Sequence, residues 1–276
     1  MKISIITASY NYENFIEQAI NSVINQSYTN WELIIVDDGS SDNSVKIIQE
    51  FCKKDERIKL FQHENSSNKG LKETLLLGLK KASGDFVAFL ESDDSFAPDN
   101  LEKKVKIAKK YPNAGLIFNK VNFMWEDENR KNINGKLFEN NQKKLSQMNF
   151  PKNMFKDFFI DNQIFTFSCV MLRPEILEKD FFNTPLDKCL DWWLWIHLAY
   201  NNDFYYIDEP LTNWRLHFQS YITEGKNLNR WFMLPIAAYE DVYKKRKDFK
   251  ILMLILHQRL KIYFIRGARF FKKLFK

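Results

Sequence analysis

The chain has 276 residues, 45% apolar and 28% charged, with 8 Gly, 7 Pro and a formal net charge of +6. That balance excludes a disordered or collagen-like polymer and fits a soluble globular protein of one large or two small domains. Cys52, Cys169 and Cys189 are scattered and odd in number, which argues against a disulfide framework or a CxxC metal site and for a reducing, cytosolic compartment.

In chain order, Lys2–Ser9 (KISIITAS) reads as a buried strand, too short for a secretory signal. Glu13–Gln26 sets Phe15, Ala19, Ile20, Val23 and Ile24 at helical spacing. Trp31–Val36 reads as a second buried strand, followed by a helix at Ser44–Lys53, a short strand at Ile58–Gln62 and a helix at Gly70–Lys81. Phe86–Leu90 is the next strand, and a helix capped by Asp99 or Asn100 follows. Gly115–Phe123 reads as a strand, and the Asn- and Lys-rich span Glu126–Asn153 as a loop or insertion. Phe165–Leu172 is expected to be a strand and Asp191–Tyr200 a helix. Phe204–Ile207 then leads through Glu209-Pro210 to a last strand at Leu211–Leu216. Strands alternating with helices over short loops imply βαβ units and a mostly parallel, Rossmann-like α/β sheet. The longest run of aliphatic residues and Met, Ile251–Leu256, falls far short of the ~20 residues a spanning helix needs.

Ligands bind at the carboxyl ends of strands in such sheets, and three polar clusters fall there: Ala8–Asn11, Asp37–Asp42 and Glu91–Asp94. The last is the sharpest. In FLESDDSF, Glu91, Asp93 and Asp94 crowd together with no Lys or Arg beside them in the chain. Hard divalent cations take oxygen ligands, and Mg²⁺ commonly uses one or two protein carboxylates plus substrate phosphates. A cation arriving with a nucleotide would therefore relieve the repulsion and anchor a diphosphate.

The blocks IITASYNYENFIEQAINSVINQSYTNWELIIVDDGSSDNS (5–44), NKGLKETLLLGLKKASGDFVAFLESDDSFAPDNL (68–101) and LDWWLWIHLAYNNDFYYIDEPLTNWRLHFQS (190–220) together resemble a family 2 glycosyltransferase of the GT-A fold. The resemblance implies a catalytic domain over 1–220, with a nucleotide-binding half at 1–101 and an acceptor-side half at 102–220. A basic, aromatic helical extension would occupy 221–276. It also implies an inverting transfer, dependent on Mn or Mg, from a nucleotide-diphosphate sugar (a UDP-sugar by family habit) to a glycan or lipid-linked glycan. On this resemblance Ala8 and Tyr10 border the nucleobase, Asp38 accepts a hydrogen bond from it, and Lys69 lies on the base and phosphate side. Ser92 lies among the nucleotide-binding residues, Asp93 faces the ribose and metal, and Asp93 or Asp94 ligates the metal. Glu91 stands where relatives usually carry Asp. Asp191 is the candidate catalytic base, the one acid retained where relatives read ED-x-D/E-L-W. Arg215 and His217 match an R-x-H-x-x-S element near the diphosphate. Trp192, Trp193 and Trp214 are candidates for an acceptor pocket.

Charge is uneven. From Lys244 to Lys276 twelve Lys/Arg face one Asp, a local +11 that leaves −5 on residues 1–243. The segment 255–276 mixes Leu, Ile, Phe and Tyr with Arg and Lys, the pattern of a helix lying on anionic lipid, which would place the protein in the cytoplasm, peripheral to the membrane. A homo-oligomer contact is the alternative use. Nucleic acid is not expected, since no recognised binding motif accompanies the charge. Two rival functions are a nucleotidyltransferase, disfavoured because no Gly-rich phosphate loop follows the first strand, and a nucleotide-sugar-binding protein without turnover.

Overall fold

The computed structural model describes residues 1–126, 128–177, 190–217, 228–257 and 259–260. Cys189, the Ser220 position and residues 261–276 of the basic tail lie outside them.

An eight-stranded sheet organises the chain in the order β3-β2-β1-β4-β7-β6-β8-β5. Its first half is β1 (Ile3–Ser9), α1 (Ile16–Ile24), β2 (Trp31–Asp37), α2 (Ser44–Lys54), β3 (Ile58–Gln62), α3 (Leu71–Lys81) and β4 (Phe86–Phe89). These four strands are parallel neighbours. β1 and β2 are buried on both faces because helices cover both sides: Ile3, Ile5, Leu33 and Ile35 pack with α1, while Ile6 meets α3. Gly78 lets α3 come that close, since a Cβ there would sit 2.5 Å from Ile6.

The second half is less regular. β5 (Ser95–Phe96), α4 (Asn100–Lys110) and β6 (Ala114–Trp125) lead to α5 (Glu128–Arg130) and α6 (Lys136–Leu145). After β7 (Val170–Leu172) come α7 (Leu190–Ala199), β8 (Asp203–Leu216) and α8 (Leu228–Arg246). β7 runs antiparallel between β4 and β6, and β5 antiparallel to β8, while β6 and β8 are parallel.

Three expectations are corrected. The span 126–153 contains α5 and α6, not a loop. Its helical periodicity is hidden because polar Asn141 and Gln142 share the buried face with Leu145. They are satisfied there, Asn141 donating to Asp161 and Gln142 accepting from the Val121 N–H. The strand expected at 165–172 is confined to Val170–Leu172, because Phe167–Cys169 forms a 3₁₀ turn capped by the Thr166 side chain. The two pieces at 204–207 and 211–216 are one strand, β8. Pro210 sits where the β6 pairing slips, the kind of bulge that tolerates a missing N–H.

Candidate active site

The shared direction of β1, β2 and β4 brings their C-terminal ends to one rim. Ser9 lies opposite Asp37, and Ile6 opposite Phe89. Asp38 N–H donates to the Ser9 carbonyl at 2.8 Å and Leu90 N–H to that of Ile6 at 3.0 Å. The loops at 10–12, 38–42 and 91–94 therefore meet.

Asp38 is buried, and its carboxylate accepts the backbone N–H groups of Lys69 at 2.6 Å and Gly70 at 2.9 Å. It thus ties the β2 end to the start of α3. Gly39, at φ +83°, is required by that approach: a Cβ would meet the Ser66 carbonyl oxygen at 2.5 Å. Asp37 accepts the N–H groups of Gly39 and Ser40. Tyr10 stands above the rim, 46% exposed. Lys69 is exposed and Ala8 half-buried. The Ala8 carbonyl accepts a 2.8 Å bond from the buried Ser92 hydroxyl, which locks the acid turn to β1.

Glu91, Asp93 and Asp94 come together there, with one carboxylate oxygen of each inside a span of 4.8 Å. The Thr166 hydroxyl reaches Glu91 Oε2 at 2.5 Å and Asp94 Oδ2 at 2.9 Å. Asp94 Oδ1 accepts the Arg215 backbone N–H at 2.9 Å, and His217 Nε2 lies 2.9 Å from Asp93 Oδ2. The Arg215 guanidinium donates to the Asp93 carbonyl, pairs with Glu126, reaches Gln18 and covers the Phe15 ring. Burial first, then the neighbouring charges of Asp93 and Asp191, push Glu91 up to about 8. Burial, Asp93 and Glu91 push Asp94 well above the ordinary range. Three hard oxygen donors within one ion's reach fit a divalent cation, and the charge cost would fall once it bound.

Asp191, in the first turn of α7, is half-buried. Burial raises its carboxyl to about 6, although the Trp192 backbone N–H and the Asn162 side chain pull the other way. Asn162 Nδ2 donates to Asp191 Oδ2 at 2.9 Å.

The structure thus brings Ala8, Asp38, Ser92, Asp93, Asp94, Arg215 and His217 to one rim. Trp192 and Trp193 are placed in the core, 4% and 2% exposed, with Trp192 Nε1 donating to the Phe158 carbonyl. Trp214 is 5% exposed and stacks on Phe165. Sequence reasoning missed Thr166, Asn162 and Tyr12, a half-buried phenol whose pKa is raised by desolvation and then by the three acids. Nothing in their local sequence marks them; they matter through what they touch.

Comparison with known proteins identifies the family and the fold. The family model described as glycosyl transferase family 2 matches residues 4–181. A UDP-Glc:alpha-D-GlcNAc-diphosphoundecaprenol beta-1,3-glucosyltransferase of Escherichia coli is 32% identical over 73% of this chain and 71% of its own. A GalNAc(5)-diNAcBac-PP-undecaprenol beta-1,3-glucosyltransferase of Campylobacter jejuni is 28% identical over 100% of this chain and 86% of its own. Other curated relatives are much longer: the chain spans 32% of the length of an uncharacterized glycosyltransferase from Rickettsia bellii that is 32% identical over 86% of this chain. Among solved structures, S. aureus TarS 1–349 in complex with UDP-GlcNAc superposes with a TM-score of 0.65 at 20% identity, covering 88% of this chain and 67% of that one. A Pyrobaculum calidifontis mannosyltransferase in complex with GDP-Man and Mn²⁺ gives 0.64 at 15% identity, covering 94% and 68%. The fold is GT-A, and with its acid turn on a strand end and most of its length matched, the chain belongs to glycosyl transferase family 2.

Proposed function

We propose that the protein is an inverting glycosyltransferase that moves a sugar from a nucleotide diphosphate, a UDP-sugar, onto a lipid-linked glycan during cell-surface polysaccharide assembly at the cytoplasmic face of a membrane. The observation that carries the reading is the pairing of two kinds of acid. Three crowd where one cation could bridge them, and a separate carboxyl sits near them at about 6.

In the reaction, the acceptor hydroxyl oxygen attacks the anomeric carbon while the carbon–oxygen bond to the diphosphate breaks. Asp191 takes the hydroxyl proton, and the nucleoside diphosphate leaves with the bonding electrons. A carboxyl near 6 is ionised at neutral pH yet basic enough to hold that proton. Asn162 fixes one of its oxygens and so orients the other. Asp93 and Asp94, with Glu91 beside them, would hold Mn²⁺ or Mg²⁺, which supplies positive charge against the departing diphosphate. Tyr10 offers its exposed ring to the base. Asp38, already bound to the Lys69 and Gly70 amides, holds the loop that flanks the base and keeps spare lone pairs for a further donor. Arg215 and His217 brace Asp93 and Asp94 from the diphosphate side. The UDP donor is supported by the ligand in the TarS complex and by the name of the E. coli relative, and the lipid-linked acceptor by both named relatives.

The test is nucleotide release and sugar transfer from a panel of UDP- and GDP-sugars with Mn²⁺ or Mg²⁺, and with EDTA. Asp191→Asn should lose about 10²–10⁴-fold in transfer and keep nucleotide binding. Binding without turnover, even with undecaprenol-linked acceptors present, would make this a nucleotide-sugar-binding protein; no nucleotide binding at all would sink the reading.

A further inference from the structure

The last described helical stretch, residues 249–257 continued at 259–260, is apolar on two opposite sides. Ile251 and Ile255, 1% and 3% exposed, pack into the core that also holds α7 and α8. Phe249, Met253, Leu256 and Leu260 point away from it, 68%, 52%, 45% and 59% exposed. At ~100° per residue these four fall within an arc of about 60°, a continuous ridge. Lys250 and His257 flank it on one side and Arg259 on the other, and Lys244-Lys245-Arg246-Lys247 leads into it. The nearby acids are largely engaged: Asp241 by His197 and Lys245, Glu240 by Arg259, and Asp248 by the Lys250 N–H.

We propose that this ridge seats in an anionic lipid surface, with Phe249, Met253, Leu256 and Leu260 at the acyl boundary and Lys244, Lys247 and Lys250 at the phosphates. An exposed apolar ridge rimmed by cations has the chemistry of an interfacial helix. A second copy docked on the same ridge would instead bring two basic rims together. The assignment is distinct from the 255–276 segment marked by the sequence: it begins at 249 and belongs to a helix fastened to the core. That fastening holds the lipid-facing side at a fixed angle to the Asp191 helix, and only this consequence rests on the lipid-linked acceptor proposed above.

The experiment is co-sedimentation of the full chain with phosphatidylglycerol/phosphatidylcholine vesicles and with phosphatidylcholine alone, at low salt and at about 0.5 M NaCl. Binding should require phosphatidylglycerol and weaken with salt. Met253→Glu/Leu256→Glu should reduce it about tenfold or more with UDP binding unchanged. Phe249→Ser, at the most exposed of the four positions, should give about a threefold to tenfold loss and guards against a double variant that fails to fold. Equal binding by wild type and both variants, or no preference for anionic vesicles, overturns the proposal. So does a wild-type dimer in sedimentation velocity that the double variant converts to monomer. Anionic-vesicle binding lost in both variants, beside a wild type that turns over no donor, would support the ridge and refute the glycosyltransferase reading instead.

Discussion

Asp191 owes its poise to two opposed effects. Burial disfavours its charge, while the Asn162 amide and the Trp192 N–H favour it, leaving the carboxyl at about 6. In its proposed role as base Asp191 must be deprotonated to act, so kcat/KM should rise through about pH 6 and plateau above it. Asn162→Ala removes a bond to the charged form. The limb should therefore move to higher pH, with an additional fall in kcat of about tenfold from lost orientation, read from pH–rate profiles of the two proteins. An unshifted limb would detach Asn162 from the base. Asp191 stood out as a candidate because LDWWLW keeps the spacing of the family motif it resembles. Asn162 and Thr166 did not, since each acts across a long loop and an isolated Asn or Thr carries no pattern.

At the scale of elements, two buried charges show how far hydrogen bonding decides stability. Glu32 on β2 is 3% exposed and accepts from Ser4 at 2.7 Å, from the Ser83 N–H and hydroxyl at 2.9 and 2.8 Å, and lies 2.9 Å from Lys2 Nζ. Burial alone would raise its carboxyl, but the bonds from Ser4, Lys2 and Ser83 outweigh it and hold it at about 2. The folded value lies below the ordinary 4.5, so the stabilisation is complete above about 4.5 and is lost as pH falls towards 2. Glu32→Gln should cost about 2–3 kcal/mol at pH 7 and flatten that acid slope in urea titrations. Lys104 is the converse. It takes a core slot of α4 beside Leu101, Val105 and Ala108, wholly buried, its ammonium without a hydrogen-bond partner among the described residues. Burial lowers it to about 7, with Cys169 pulling slightly the other way. Between about 7 and 10.5 the unfolded chain holds a proton the folded one lacks, so stability should climb with pH there. Lys104→Met should abolish the climb and stabilise the protein at pH 7 by about 1–3 kcal/mol, seen as a higher Tm. The parallel half was readable because buried strands and amphipathic helices write distinct periods into the chain. α6 and the 166–169 turn were not, because their decisive contacts are polar groups satisfied by distant partners.

At the scale of the molecule, α8 packs on α7 rather than trailing from it. Tyr239 is fully buried, its ring against Phe155 and Phe159 with centroids at 4.6 and 4.4 Å and its hydroxyl donating to the Phe155 carbonyl. Tyr239→Ala should cost about 3–5 kcal/mol, and unfolding should remain one transition by every probe. Two separate transitions would instead support the division at residue 220 that the sequence suggested.

The acid turn also has a timetable. Glu91, Asp93 and Asp94 leave the ribosome long before Thr166, Ser168, Arg215 and His217, the residues that supply the turn with Glu91 N–H···Ser168, Thr166–Glu91 and Arg215–Asp94 contacts. A nascent chain stopped before residue 166 carries β1 to β4 and an acid turn held only by itself and by Ala8. On the role proposed for this turn, donor capture becomes available only late in translation, once β7 and β8 have joined the sheet.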